Sequence, residues 1–300
     1  MNRRRFLGTM TAATLMSNRL TWALATHRIE KIGLQLYTVR FAMAQDFHST
    51  LARVAAIGYQ EVELAEFAQA ADGKVTYFKR PPREVHAALD SLGLSSPSTH
   101  VSFKSLQPEP FAQVIEASKI FGHTYIVCPW IEEEIRKQPD GWKHAAETFN
   151  RAGEDCKKAG IQFAYHNHWF EFAPGADGKL PYDFLLEQTD ANLVKMELDL
   201  CWIVVGGQDP VPYFEKYPGR FPLVHVKDMK KIPKVDTSGG QNFGDSLDMT
   251  SVGGGVIDWK RILGSSEKAG IKHYFVEHDK PQDPVASIEA SFAYLKLLRF

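Results

Sequence analysis

The sequence has few cysteines, no net basic charge and no long apolar run. Its 300 residues include three cysteines, Cys128, Cys156 and Cys201, too few and too odd a number for a disulfide framework. The fold must therefore rest on a hydrophobic core. With a formal net charge of -1 there is no clustered basic surface for phosphate backbones, so we predict no nucleic-acid partner. No apolar run approaches the ~20 residues of a membrane span, so we predict no membrane association of the mature form.

The first 25 residues differ in character from the rest. Asn2-Arg-Arg-Arg-Phe-Leu-Gly8 matches the twin-arginine export pattern, and Ala23-Leu-Ala25 is the small-x-small sequence after which a signal peptidase cuts. A basic helix at the start of a cytosolic protein is the simpler alternative, but the signals agree in order and spacing. We therefore predict a signal peptide at 1–25, the twin-arginine export machinery as a partner, and a periplasmic or otherwise exported location.

After this leader, short β-type runs alternate with longer amphipathic stretches. The predicted strands are Ile32–Val39, Glu61–Ala65, Ser95–Phe103, Tyr125–Trp130, Phe163–His168, Lys195–Leu200, Leu223–Asp228 and His273–Glu277. The predicted helices lie near 46–57, between Pro82 and Gly93, and near 110–121, 141–159, 182–188, 211–216, 258–269 and 284–299. Eight strand-then-helix units in about 275 residues predict an α/β fold, a (β/α)8 TIM barrel forming one domain at 26–300.

A doubly wound sheet is the main alternative fold. It would need fewer units or a second domain, and its first strand would usually lead into a glycine-rich phosphate turn. The segment Leu36-Tyr-Thr-Val-Arg40 has no glycine. The sequence leaves the oligomeric state open.

Charged and imidazole side chains stand at the ends of several predicted strands, where burial would cost desolvation energy. In such a barrel the carboxyl ends of the strands form one mouth, so these residues are expected to converge there although they lie far apart in the chain. They are Glu63, His100, His166, His168, Asp199, His225 and Glu277.

Carboxylate oxygen combined with imidazole nitrogen suits a divalent cation such as Mn, Co, Zn, Fe or Mg. Asp199, His225 and Glu277, on the last three strands, are the centre of this prediction. Each alone has a structural alternative, because an aspartate at a strand end commonly caps the next helix and a buried histidine is usually just hydrogen-bonded. Taken together they favour a metal site.

In combination, these motifs make the chain resemble the sugar phosphate isomerase/epimerase family of xylose isomerase-like barrels. The resemblance spans essentially the whole mature chain and rests on Gly33-Leu-Gln-Leu-Tyr-Thr-Val-Arg40, Thr99-His-Val-Ser-Phe103, Tyr165-His-Asn-His168, Glu197-Leu-Asp199, His225-Val-Lys-Asp228 and Val276-Glu-His-Asp279. It implies a metal-dependent enzyme that removes a proton next to a carbonyl of a sugar, keto-sugar or cyclitol.

The resemblance also implies a ligand set of Glu, Asp, His and Glu from strands five to eight. Aligned by strand ends, the last three fall on Asp199, His225 and Glu277, while the first falls on His166. This histidine departs from the family pattern. We predict it as fourth metal ligand or as base, and the departure argues against a symmetric two-glutamate mechanism.

The predicted mechanism passes through an enediolate, with the metal acting as Lewis acid and with Glu277 or His166 moving the proton. Lys227 and His168 are predicted to bind substrate hydroxyls or stabilise the oxyanion, although a solvated lysine at the barrel rim is an equal alternative. Glu63 and His100 are predicted to contact the far side of the sugar, with a structural hydrogen bond as the alternative for each.

Several functions fit these residues. A sugar isomerase or epimerase is the first prediction. The same enediolate also serves a lyase on a keto-glycoside or a dehydratase on a keto-cyclitol, if a leaving group lies β to the carbonyl. A non-catalytic sugar-binding barrel is an alternative of another class, and the near-neutral charge disfavours a metal-dependent endonuclease.

Overall fold

Eight parallel strands pair side by side in chain order, and the first pairs with the last, so the sheet closes into a barrel. The structure is a computed structural model that describes residues 27–69, 74–175, 178–234 and 246–300. The predicted signal peptide at 1–25 lies outside them. The strands are β1 Gly33–Gln35, β2 Glu61–Leu64, β3 Ser95–His100, β4 Tyr125–Cys128, β5 Gln162–His166, β6 Val194–Asp199, β7 Leu223–Val226 and β8 His273–Val276. The predicted TIM barrel is confirmed.

Helices follow each strand and form the outer layer. Their bounds are α1 Arg40–Gln45, α2 Phe47–Ile57, α3 Pro82–Ser91, α4 Pro108–Phe121, α5 Glu133–Arg136, α6 Gly141–Lys158, α7 Pro181–Gln188, α8 Leu200–Val205, α9 Pro210–Lys216, α10 Trp259–Leu263, α11 Ser266–Ala269 and α12 Pro284–Leu297. Gly58 ends α2 with a φ of 117°, a left-handed conformation that glycine adopts readily. Among the described helices, none is long and apolar enough to cross a membrane.

The structure differs from the sequence prediction mainly just after the strands. The run predicted as a strand to Val39 turns into a 3-10 helix at Leu36, because the Gln35 side chain accepts a hydrogen bond of 3.0 Å from the backbone N–H of Tyr37. Helix α8 was missed. The helix predicted at 258–269 is two helices, α10 and α11, separated at Gly264, a residue of low helix propensity.

The barrel interior has an apolar layer below a polar one. Tyr125, Val127, Ala164, Leu223 and Phe275 form a buried cluster separate from the main core between strands and helices. Side chains two residues apart share a face of a strand. His166, His225 and Glu277 therefore lie on the same inward faces as Ala164, Leu223 and Phe275, one layer higher. The apolar layer closes the barrel beneath the polar residues.

Asp228 fixes the chain that follows β7. Its carboxylate, 1% exposed, accepts hydrogen bonds from four backbone N–H groups and from the indole of Trp259, at distances between 2.9 and 3.3 Å. A Cβ on Gly255 would lie 2.1 Å from Asp228 Oδ1, so only glycine permits this approach. These hydrogen bonds hold the segment from 253 to 259 against Asp228, the residue that follows Lys227.

Replacing Asp228 by asparagine should destabilise the protein by about 3 kcal/mol, because the side-chain NH2 cannot accept and leaves buried donors unpaired. Urea unfolding measures the change. Asp283→Asn is the matched control: Asp283 caps α12 at an exposed position, and asparagine caps a helix equally well. Similar free energies of unfolding for the two variants would contradict the assignment.

His123 makes stability depend on pH from outside the polar layer. Its ring stacks on Phe121 with centroids 4.8 Å apart, and its Nε2 lies 3.2 Å from Ser96 Oγ. Burial lowers the pKa of His123 to about 3, whereas the unfolded chain takes up the proton near pH ~6.5. The stability contribution is therefore complete above about pH 6.5 and is lost as the pH falls towards 3.

We expect His123→Phe to lose less free energy of unfolding than the wild type between about pH 7 and pH 4, because no proton is then taken up at this position on unfolding. Urea unfolding over that range checks the effect. The same pH dependence in both proteins would show that His123 is not its source.

Candidate active site

Seven buried polar side chains from six strands meet in the upper half of the barrel. Each is at most 6% exposed, and they are Glu63, His100, His166, Glu197, Asp199, His225 and Glu277. Six of them were predicted from the sequence. Glu197 was missed, although it lies two residues before Asp199 on β6 and strand alternation places both on one face.

His225 lies at the centre of the cluster and faces carboxylates with both ring nitrogens. Its Nδ1 is 2.6 Å from Glu277 Oε2 and 4.0 Å from Asp199 Oδ2. Its Nε2 is 2.7 Å from Glu63 Oε2. A carboxylate only accepts hydrogen bonds, so both ring nitrogens carry a proton in the metal-free site, and a cation that binds Nδ1 would displace the proton shared with Glu277.

Glu197 aligns the histidines from below. Its Oε2 lies 2.8 Å from His100 Nε2, 3.1 Å from His166 Nδ1 and 3.2 Å from His225 Nε2. The contact with Nδ1 of His166 turns the other nitrogen, Nε2, towards Asp199 Oδ2, 3.8 Å away. One carboxylate thus orients side chains from three other strands.

The charges of this layer explain its protonation. Burial would lower the pKa of His100, but Glu63 and Glu197 outweigh it and raise that pKa to about 9. Burial is likewise outweighed at His225, where Glu197 and Glu277 raise the pKa well above its usual value. Burial lowers the pKa of His166 well below 6.5, reinforced by His225. His166 is therefore a neutral ring at neutral pH.

Lys227 is a buried cation among three carboxylates. Its Nζ lies 2.8 Å from Glu277 Oε2, 2.9 Å from Asp279 Oδ1 and 3.1 Å from Asp199 Oδ2. Burial opposes its charge, but these acids raise the pKa of Lys227 well above its usual value. Since Lys227 is 2% exposed, it is not a solvated lysine at the barrel rim.

Asp199 performs two tasks with its two oxygens. Oδ1 caps α8 by accepting from the N–H groups of Cys201 and Trp202 at 2.9 and 2.8 Å. Oδ2 is buried and accepts no hydrogen bond within the described chain, and its nearest charged neighbour is Lys227 Nζ at 3.1 Å. Such an oxygen is costly unless something binds it. Burial raises the pKa of Asp199 to about 6.

These atoms fit a divalent cation. The ligand atoms of Asp199, His225 and Glu277 all lie within 4.8 Å of one another. The acids of the site, namely Glu63, Glu197, Asp199, Glu277 and the partly exposed Asp279, outnumber its cations, namely Lys227, His100 and His225. Oxygen and imidazole donors with excess negative charge suit Mn, Fe, Co, Zn or Mg.

His168, at the start of the loop after β5, faces the same opening. Its ring stacks on Phe170 with centroids 5.6 Å apart. Glu171 holds the loop, since its carboxyl accepts from the backbone N–H of His168 at 2.9 Å and from the Tyr165 hydroxyl at 2.5 Å. Burial raises the pKa of Glu171 to about 7.

A cavity of about 600 Å³ opens above the polar layer. Of the predicted residues, His100, His166, His168, Lys227 and Glu277 line it. Glu63 is fully buried and bonded to Gln35, Ser98 and His225. The structure thus brings the predicted residues together, with Glu63 behind His225, and their roles stay predictions.

Residues 51–298 match the family described as "Xylose isomerase-like TIM barrel". This chain belongs to that family. A sugar phosphate isomerase/epimerase from Parabacteroides distasonis has the same barrel, with 28% identity, a TM-score of 0.72, and coverage of 92% of this chain and 97% of that one. The family resemblance predicted from the sequence is confirmed.

Curated relatives in this family include inosose dehydratases. The enzyme of Lacticaseibacillus casei is 26% identical over 51% of this chain and 52% of its own length, so the chain spans about half of that relative. The enzyme of Geobacillus thermodenitrificans is 26% identical over 72% of this chain and 79% of its own length.

Two solved structures of lower identity share the fold and contain metals. The IOLI protein, with bound zinc, is 14% identical with a TM-score of 0.64, covering 87% of this chain and 95% of that one. A Mycobacterium smegmatis barrel, in complex with magnesium, is 16% identical with a TM-score of 0.62, covering 88% and 95%.

If Asp199 is a ligand, Asp199→Ala should purify without the metal of the wild type, because it removes the unpaired oxygen. Glu197→Gln should keep a site but weaken its affinity by about 10- to 100-fold, since it only orients ligands. Elemental analysis and metal titration measure both effects.

Asp209→Ala is the control for the lost helix cap, because Asp209 caps α9 outside the cluster. Its metal content should match the wild type. An Asp199→Ala protein that retains the metal would show that the ligand assignment is wrong.

Proposed function

We propose that this protein is a metal-dependent lyase that removes the proton next to the ketone of a polyhydroxylated ring and then expels the oxygen β to it. The observation that carries the proposal is the one-sided acid–base arrangement. Glu277 and Lys227 lie 2.8 Å apart and both line the cavity, whereas β5 carries the neutral ring of His166 where the family pattern has a second glutamate.

Glu277 is the base of the proposed reaction. Burial would raise its pKa, but Lys227 and His225 hold the pKa of Glu277 well below its usual value, so its carboxylate is ionised. A divalent cation held by Asp199, His225 and Glu277, with His166 as a fourth donor, would polarise the ketone and make the adjacent C–H bond acidic.

Lys227 is placed to assist the leaving group. When the C–H electrons form the new C=C bond, the β C–O bond breaks and its oxygen needs a proton. The ammonium group of Lys227 donates a hydrogen bond, and then its proton, to that oxygen on the same face from which Glu277 took a proton. Glu277 then passes the abstracted proton to Lys227 across their contact. The products are an unsaturated ketone and water or an alcohol.

Unpaired polar atoms in the cavity support a polyhydroxylated substrate. Trp202 Nε1 and His168 Nδ1 are buried and have no hydrogen-bond partner within the described residues, and both residues line the cavity. Buried groups of this kind are normally satisfied, and ring hydroxyls would satisfy them. The inosose dehydratase relatives support a keto-cyclitol as one substrate.

Isomerisation or epimerisation is the second candidate. This candidate is favoured by the His166 imidazole, a second group able to move a proton. His166 lines the cavity together with Glu277, and its ring centroid lies 4.4 Å from that of His225. In this case the leaving group stays on the ring and His166 returns the proton.

Incubating the metal-loaded protein with a keto-inositol and a methyl keto-glucoside in deuterated water distinguishes these candidates. We expect loss of water or methanol and the ultraviolet absorbance of an unsaturated ketone. Glu277→Gln should lower the rate by about 10²- to 10⁴-fold, while Glu133→Gln, at an exposed position, should not.

Deuterium in a recovered ketone with its leaving group intact would instead support isomerisation. Binding without deuterium exchange in either compound would contradict both reactions and support a sugar-binding barrel.

A further inference from the structure

The cavity differs between the half that holds the predicted metal ligands and the half across from it. Strands β5 to β8 bring His166, Lys227 and Glu277 to the cavity, together with the largely covered rings of Trp169 and Trp202. The opposite side is lined by aromatic residues carried by the chain after earlier strands: Tyr37 follows β1, Phe78 follows β2, and Trp130 follows β4. A ring bound at the metal would therefore leave this aromatic side in front of it.

The aromatic side keeps uncovered surface. Tyr37 is 41% and Trp130 37% exposed, whereas most large apolar side chains of the described chain are buried. Aromatic surface exposed inside a concavity indicates a ligand more than it indicates packing.

Phe78 is held by a tight turn, since Phe78 and Lys79, with φ of 49° and 61°, are the central residues between Tyr77 and Arg80, which exchange two backbone hydrogen bonds. The Phe78 ring is braced by Tyr77, with centroids 4.9 Å apart.

The size of the cavity exceeds what one sugar ring fills. A hexose has twelve non-hydrogen atoms, which would fill about 360 Å³ even at the ~30 Å³ that a water molecule occupies in the liquid. The cavity measures about 600 Å³. The remaining space has room for a second ring.

The Arg40 guanidinium packs on Tyr37 and is already hydrogen-bonded. The Arg40 guanidinium lies 3.7 Å from the Tyr37 ring centroid and donates to the carbonyl oxygens of Tyr37 and Asp279 at 2.7 and 2.8 Å. It therefore holds Tyr37 in place by covering one face of its ring, and 41% of Tyr37 is still exposed.

We propose that Tyr37, Phe78 and Trp130 form a binding subsite for the aromatic aglycone of an aryl keto-glycoside, whose sugar ring lies at the metal end. This substrate class rests on the proposed lyase function, in which the aglycone is the leaving group. Elimination then breaks the bond between the sugar and the aglycone oxygen, forms a C=C bond in the sugar ring and releases a phenol. Aromatic faces bind such a ring by stacking and by removing apolar surface from water.

Binding of glucosides without a ketone tests the subsite separately from catalysis, because they are not turned over by proton removal next to a carbonyl. Calorimetry on the metal-loaded protein should give phenyl β-glucoside a dissociation constant about tenfold lower than methyl β-glucoside. Trp130→Ala and Tyr37→Ala should each reduce this preference to less than about threefold, and Trp130→Phe should retain most of it.

Phe41→Ala is the matched control. Phe41 also contacts the Arg40 guanidinium, at 4.4 Å, but it is 70% exposed and outside the cavity lining, so its preference should equal that of the wild type. Equal binding of phenyl and methyl glucosides, or a preference that survives Trp130→Ala and Tyr37→Ala, would overturn the proposal. Tighter binding of cellobiose than of phenyl glucoside would also overturn it, in favour of a second sugar ring.

Turnover then separates the subsite from the function. Phenyl keto-glucoside should release phenol with a lower KM than the methyl compound releases methanol. If the phenyl preference in binding is present and no phenol is released, the subsite stands and the lyase function fails.

Discussion

The structure depends on one electrostatic constraint, the burial of more carboxylates than cations inside a closed barrel. Transferring an isolated carboxylate from water into a protein interior is strongly unfavourable. Here each acid faces a protonated histidine, the Lys227 ammonium or backbone N–H groups. The remaining negative charge suits a divalent cation, so the charge imbalance that costs the fold stability favours the proposed metal site.

Four buried acids support the polar layer, and one of them, Asp199, serves two purposes. Asp199 caps α8 with one oxygen and presents the other to the site, which fixes the carboxylate more firmly than a free side chain. Asp228 ties down the chain behind Lys227. Glu63 and Glu197 lie beneath the histidines and decide which ring nitrogen faces the cavity. Orientation of ligands by partners of this kind is what makes a metal site rigid.

His166 stands where the family resemblance predicts a glutamate, so the proposed site has one acidic and one neutral side. In the proposed reaction the base Glu277 and the proton donor Lys227 are neighbours, which favours removal of a proton and of an oxygen from one face of a ring. The inosose dehydratase relatives lie on the lyase side of this chemistry, while the Parabacteroides distasonis structure carries an isomerase/epimerase name. The aromatic residues Tyr37, Phe78 and Trp130 support the proposed substrate with a second ring, because a cyclitol alone would leave their faces exposed to water.

The sequence by itself determined the barrel. The alternation of strands and helices is a local pattern, and eight strand–helix units are the number that closes a (β/α)8 barrel. It also placed Asp199, His225 and Glu277 in one mouth, because strand ends converge by topology. Only the tertiary structure decided the rest. Contacts between Glu197 and three histidines, the position of Lys227 among three acids, and the choice of nitrogen at His225 join side chains from different strands. Such contacts depend on barrel register and rotamers, which no local pattern encodes.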